Sequence, residues 1–342
     1  VAEMGPAAAD ELIPFKGLSP YAEDDARFFF GREKAQRIIR ANLLAYPLTV
    51  LYGATGVGKS SVLRAGVLHQ LHQEALDNLA QLGQPELVVV VVSNWRDEPL
   101  ITTRQSVRQA LADLYPAALH PDDPPGLRDA LKVWAERVAG PILVVLDQFE
   151  EYFLYRADEQ GPDTFAEQFP QIVNDVDVLA NFLVAIREDA LAWLDRFKRQ
   201  LPNLLDNYIR IRHLDKESAR KAIVGPVDAW NRLRPEEERV TLEPGLDDAL
   251  LDDLKFGQVA LGARGQGLAG RESTIDALQG AVETPYLQLV MRRLWDTEQA
   301  KGSHRLRLVT LQDDLGGAAH IVRTHLDDSM GSLDPAEQGI AA

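Results

Sequence analysis

An α/β fold, a parallel sheet held between helices, follows from three observations on this 342-residue chain. Apolar runs recur at residues 48–52, 87–92, 142–146, 182–186 and, more weakly, 208–211. They are apolar throughout rather than alternating, as strands buried on both faces must be, and helical patterns separate them. The first run leads directly into a glycine-rich loop that opens a helix.

Size and charge narrow the field. The chain is long enough for two or three small domains, or for one large α/β domain with a helical appendage. Its 46% hydrophobic and 26% charged residues are those of an ordinary globular protein. With 36 Lys+Arg against 52 Asp+Glu the formal charge is −16. That field repels nucleic-acid phosphates and anionic lipid, so neither is expected as a direct partner. There are no cysteines, which removes disulfides and thiolate metal sites and fits a cytoplasmic location. The apolar runs fall far short of the ~20 residues of a membrane span.

Residues 32–44 read as a helix ahead of the first strand. After Arg212 the strand-like runs stop, and helical patterns take over. Asp215 can cap a helix through Ala222, with Gly225-Pro226 as its terminator. A further helix is expected at 245–254. Another spans 284–295, with Thr284 as cap, Pro285 in the first turn, and Leu287, Val290 and Leu294 on one face. Residues 318–330 form one more amphipathic pattern. The run Asp334-Pro335-Ala336-Glu337 announces a helix whose continuation is expected beyond Ala342.

The chemistry begins at Gly53-Ala54-Thr55-Gly56-Val57-Gly58-Lys59-Ser60, which matches G-x-x-x-x-G-K-[ST] at every fixed position. Chance alone gives on the order of one match per hundred chains of this length, and the flanking strand and helix lower that. Glycines let such a loop curl until successive N–H groups face phosphate oxygens, beside the positive end of a helix. Lys59 is the candidate to neutralise the β and γ phosphates and Ser60 to ligate Mg²⁺. These features predict a P-loop NTPase.

A phosphate cradle needs an acid for its metal, and Asp147 stands at the end of the buried run 142–146. It is the candidate magnesium ligand with Ser60, although a carboxylate there also caps helices. Glu150 and Glu151 are candidates to orient and deprotonate the attacking water, and equally ordinary partners of a helix dipole. Arg187 ends another buried run, at the sheet edge where ligands bind. It can read the γ-phosphate, or form a surface ion pair with Glu188 or Asp189.

Further segments carry a family resemblance over nearly the whole chain. They are Pro14-Phe15-Lys16-Gly17-Leu18, residues 25–33 ending Phe29-Phe30-Gly31-Arg32-Glu33, and the P-loop with Ser61 and Arg64-Ala65-Gly66. Asp147-Gln148-Phe149-Glu150-Glu151, the strand ending at Arg187, and Thr284-Pro285-Tyr286-Leu287-Gln288 with Arg293-Leu294-Trp295 complete the set. Together they resemble the STAND class of signal-transduction ATPases, specifically novel STAND NTPase class one. The resemblance implies an ASCE/AAA+-like ATPase sheet, a helical lid and a winged-helix domain. The expected divisions are a lead-in at 1–30, the ATPase at 31–213, a helical domain at 214–303 and the start of a winged helix at 304–342.

The same resemblance implies roles that spacing does not show. Phe30, Gly31 and Arg32 would lie over adenine, and Gly53, Thr55, Gly56, Val57, Gly58, Lys59, Ser60 and Ser61 would hold the phosphates. Glu150 takes precedence over Glu151, Arg187 is the sensor arginine, and Pro285 packs on the base when ADP holds the protein closed. Glu283 stands where many relatives carry glycine. The implied function is an ATP/ADP switch with Mg²⁺ and slow hydrolysis, self-associating through the ATPase domain. Effector and sensor domains of one polypeptide, including WD repeats after this region, are the implied partners. A constitutive AAA+-like motor and a passive ADP-holding scaffold are the rival readings. Guanine is disfavoured, because Asn-Lys-x-Asp occurs nowhere.

Three weaker signals are set aside. Gly265-Gln266-Gly267-Leu268-Ala269-Gly270 spells a dinucleotide fingerprint but follows no long buried strand. His69 and His72 have no identifiable third ligand. Trp95-Arg96-Asp97 reads as a strand-end cap and a packing aromatic, with contact to substrate or a neighbouring subunit as the alternative.

Overall fold

The computed structural model describes residues 12–159, 161–255 and 280–331. Among these no helix is long and apolar enough to cross a membrane. Contacts divide the chain into two compact units. The sheet unit takes in Glu33–Thr55 and Lys59–Ile211; the other takes in the described parts of Val1–Arg32 and Arg212–Ala342, together with Gly56–Gly58 at the loop tip.

The sheet unit carries β1 (Leu48–Gly53), β2 (Val88–Val92), β3 (Ile142–Leu146), β4 (Ala180–Arg187) and β5 (Tyr208–Arg210). They pair in the order β2-β3-β4-β1-β5, parallel throughout. Every residue of β3 is buried, which explains why the run does not alternate. Each large apolar side chain buried on either face contributes about 1.5–3 kcal/mol. One face packs on Val107, Leu111, Leu131 and Trp134, from the helices Pro99–Leu114 and Leu127–Val138.

Strand order positions the site. β4 lies between β1 and β3, with Gly53 level with Arg187 and Leu146 level with Val184. The residues that follow β1 and β3 therefore emerge at one edge, on either side of the end of β4, where parallel sheets bind ligands.

The helix after the P-loop departs from the regular pattern expected. It opens at Lys59–Ser61, widens into a π-helical stretch over Val62–Leu68, and resumes as α-helix over His69–Leu82. His69 N–H donates to the Arg64 carbonyl, five residues back. Within it lies Gly66, where a Cβ would come within 2.7 Å of Gln36 Cγ. The buried Gln36, from the helix Glu33–Ala45, thus packs against the widened turn, as π-bulges near functional sites do.

The second unit is built on the helices Lys216–Arg232, Leu246–Asp253, Thr284–Ala300 and Ala318–Gly331. Phe15 joins their core, edge-on to Trp295 at 5.9 Å, and Trp230 meets Trp295 at 5.1 Å. Asp215 caps its helix, accepting from Ser218 N–H at 2.7 Å. Three expectations need correction here. The Asp215 helix does not stop at Gly225-Pro226 but continues to Arg232. An interior proline costs about 3 kcal/mol, which burial of Ala222, Ile223, Pro226 and Val227 along this helix offsets, and Gly225 is where the Phe30 ring lies against the helix: a Cβ there would approach Phe30 Cγ to 2.4 Å. Glu283, not Thr284, is the cap of the helix Thr284–Ala300, and the Thr284 hydroxyl is engaged elsewhere. Strand pairing also does not end at Arg212, because β6 (Thr241–Leu242) and β7 (Arg305–Leu306) form a two-residue parallel pair, too short to show a period. The Gly265–Gly270 signal and the helix expected at Asp334 lie outside the described residues.

Candidate functional site

The P-loop curls where its glycines permit: Gly56 has φ 76° and Gly58 φ 94°, both in the left-handed region. Within the sheet unit, Lys59 Nζ donates to the carbonyls of Gly53 at 2.8 Å and Ala54 at 3.1 Å. Desolvation lowers the Lys59 pKa, against the pull of Glu150 and Asp147, while Arg187 adds to the lowering and Asp189 opposes it. One ammonium thus feels the candidate metal acid, the candidate base and the candidate sensor together.

Asp147 is buried, only 2% exposed. Its Oδ1 accepts from Ser60 Oγ at 3.2 Å and from Gln148 N–H at 3.0 Å. Gln148 holds φ 54°, costing about 1–2 kcal/mol for a side chain that is not glycine. Asp147 Oδ2 is buried with no hydrogen-bond partner among the described residues. A hydroxyl and a carboxylate that retains an unmatched oxygen are the hard donors that Mg²⁺ takes, so these residues fit the metal.

The two neighbouring acids separate. Glu150 Oε2 accepts from the Arg187 backbone N–H at 3.2 Å, which holds it at the end of β4, and it acts on Lys59. Glu151 instead adds to the field on Arg96. Arg187 ends β4 as expected, but its guanidinium forks onto Asp189, with Nε 3.0 Å from Oδ1. That hydrogen bond is the main cause raising its pKa. The surface ion pair, one of its two possible readings, is therefore present.

In the second unit Arg32 makes three hydrogen bonds among the described residues. It donates to the Arg212 carbonyl at 2.7 Å, to the Val57 carbonyl at 2.8 Å and to Thr284 Oγ1 at 3.3 Å. Atoms crowd the guanidinium closely enough that desolvation lowers its pKa to about 10, despite Asp215. Pro285 lies beside Gly56, where a Cβ would meet Pro285 Cγ at 3.3 Å. Phe30 and Gly31 meet the helix Lys216–Arg232. Phe30 packs on Gly225, and Gly31, at φ 83°, sits where a Cβ would come within 2.2 Å of the Ser218 carbonyl oxygen. Thr55 is exposed, and Val57 is buried.

Two residues were not singled out for these contacts by their sequence positions. Trp95 is fully buried, and its indole N–H donates to the Asp147 carbonyl at 2.9 Å. Arg64 places Nη2 3.6 Å from Asp147 Oδ2. No linear signal marked the Arg64 contact, because the π-helical stretch Val62–Leu68 breaks the regular four-residue spacing from Ser60. None existed for the Trp95 bond either. His72, for its part, places Nε2 3.1 Å from the Val89 carbonyl.

This geometry has a family counterpart. The model of the Novel STAND NTPase 1 family matches residues 14–342. The chain belongs to that family. This STAND NTPase is thus a nucleotide-binding P-loop module. Its fold is similar to that of the ORC2 protein of Aeropyrum pernix, solved in ADPNP–ADP complexes, with a TM-score of 0.51 and 12% identity, covering 90% of this chain and 69% of that one. It is similar also to a Walker-type ATPase of Pyrococcus abyssi, with a TM-score of 0.51 and 14% identity, covering 93% and 77%. At such identities the likeness speaks for the fold alone. Comparison with curated proteins returned no match.

Proposed function

We propose that this STAND NTPase binds ATP or ADP with Mg²⁺, hydrolyses ATP slowly, and acts as a nucleotide-controlled oligomerisation switch within a larger signalling or defence protein. The observation that carries the reading is the attachment of the loop tip. Arg32 bonds the Val57 carbonyl and Thr284 at once, and Pro285 lies on Gly56, so a ligand gripped by the loop acts on the first turn of the helix Thr284–Ala300. A nucleotide shifts a two-state equilibrium only by binding the states unequally, and the γ-phosphate supplies that difference.

The roles follow from the donors. The loop N–H groups and Lys59 hold the phosphates, and Ser60 with Asp147 holds the metal. Bound Mg²⁺ would neutralise charge on the β and γ phosphate oxygens. Glu150 orients the attacking water, Arg187 reads the γ-phosphate, and Arg32 and Pro285 serve the base side with Phe30 and Gly31. In domain terms, we read 31–213 as the ATPase, 214–303 as the lid and 304–342 as the start of a winged helix. Sensor repeats and an effector belong to the same polypeptide, in the cytoplasm.

A second reading, a passive scaffold that retains ADP, is favoured by one observation: Arg187 is already committed to Asp189. Identifying the nucleotide that co-purifies with the full-length protein, and its mass in solution before and after exchange to ATP, separates the two. The switch requires a mass change that Lys59→Ala abolishes. Retained ADP, constant mass and no effect of Glu150→Gln would leave the scaffold.

A further inference from the structure

We propose that Arg64 is a built-in counter-charge to Asp147, through which this site holds a nucleoside diphosphate without a divalent cation. The inference rests on the nucleotide-binding reading above and concerns how that same site is balanced. Asp147 is buried, Ser60 and Gln148 saturate its Oδ1, and Oδ2 has no hydrogen-bond partner among the described residues. The cation facing that oxygen is Arg64, with Nη2 at 3.6 Å. Arg64 Nε is itself buried with no hydrogen-bond partner among the described residues, so the guanidinium has donor capacity unspent.

A carboxylate beside a polyphosphate repels it, and the repulsion is large where water is scarce. Something positive must offset it. Lys59 is already committed to the Gly53 and Ala54 carbonyls as well as to the phosphates the loop receives. Arg64 is the second positive charge, and its side chain stands on the π-helical stretch Val62–Leu68, whose wide turn is packed against Gln36. A guanidinium 3.6 Å from Asp147 Oδ2 offsets that charge whether or not a metal arrives.

The test is calorimetric titration of ADP into the full-length protein, once with EDTA and once with saturating Mg²⁺. Arg64→Gln should lower the metal-free affinity about tenfold or more but the Mg²⁺-loaded affinity no more than about threefold, because the cation then takes over at Asp147. Arg64→Lys, which keeps the charge, should recover most of the metal-free affinity. Circular dichroism checks that both variants fold, and the ratio of the two affinities does not depend on the active fraction. Equal losses with and without Mg²⁺, a lysine variant no better than glutamine, or a parent that binds ADP only with Mg²⁺ would each overturn the proposal. A parent that binds no nucleotide in either condition would instead sink the nucleotide-binding reading itself.

Discussion

Trp95 Nε1 donates a 2.9 Å hydrogen bond to the main-chain carbonyl oxygen of Asp147. The bond backs the candidate metal acid from behind, at the point where the chain turns through the left-handed Gln148. It sits in an aromatic cluster, with Phe149 edge-on to Trp95 at 5.0 Å. Trp95→Phe keeps most of the ring but orphans a buried carbonyl. It should destabilise the protein by about 1–3 kcal/mol in urea unfolding and weaken Mg²⁺-nucleotide binding several-fold. Unchanged stability would mean the indole N–H is dispensable.

Gly225 and Phe30 form a test of packing. A Cβ at residue 225 would collide with the Phe30 ring at 2.4 Å, so Gly225→Ala should cost stability despite alanine's better helix propensity. The expected loss is about 1–3 kcal/mol. Combining it with Phe30→Leu should return part of that loss, and a thermal melt of the two single variants and the double variant reads the coupling. Additive effects would argue against the contact.

Glu298 contributes to acid stability in the second unit. It is fully buried, and Arg307 donates to its Oε1 at 3.0 Å and to its Oε2 at 2.8 Å. Burial pushes the carboxyl up, but hydrogen bonds from Arg307, Thr310 and Ser303 prevail and hold it at about 2, against an ordinary 4.5. Between those values the unfolded chain binds the extra proton. The stabilisation is therefore complete above pH 4.5 and is lost as pH falls toward 2. Glu298→Gln should cost about 1–3 kcal/mol at neutral pH and flatten the acid limb of a melt-versus-pH curve. A parallel curve, merely shifted, would contradict this.

Asp189 restrains Arg187 through an exposed pair, with side chains 45% and 63% accessible, so it adds little stability, below about 1 kcal/mol. Asp189→Asn should leave the melting temperature unchanged while freeing the guanidinium. If Arg187 reads the γ-phosphate, the preference for ATP over ADP in competition binding should then rise several-fold. A constant preference, also unmoved by Arg187→Ala, would remove Arg187 from the proposed site.

Much of the fold was legible because its signals are local. The uninterrupted apolar run at 142–146 became β3, buried at every position, and the pattern at 48–52 became β1 leading into the loop. Where local rules misled, a distant partner overrode them. Pro226 should end a helix, yet Phe30, almost two hundred residues away in sequence, packs on Gly225 and the helix runs on. Thr284 looked like a cap, yet its hydroxyl accepts from Arg32. The two-residue pair of β6 with β7 had no period to detect.

By itself the sequence determined the sheet, the loop and the identity of the acid that follows β3, since spacing and burial pattern along a short stretch suffice for those. The tertiary structure alone decided which charges meet: Arg32 on Val57 and Thr284, Arg64 facing Asp147, Glu150 rather than Glu151 acting on Lys59, and Arg187 on Asp189. Those pairings depend on which side chains the packed core leaves at one edge of the sheet and on how far each can reach, and no linear pattern encodes that distance.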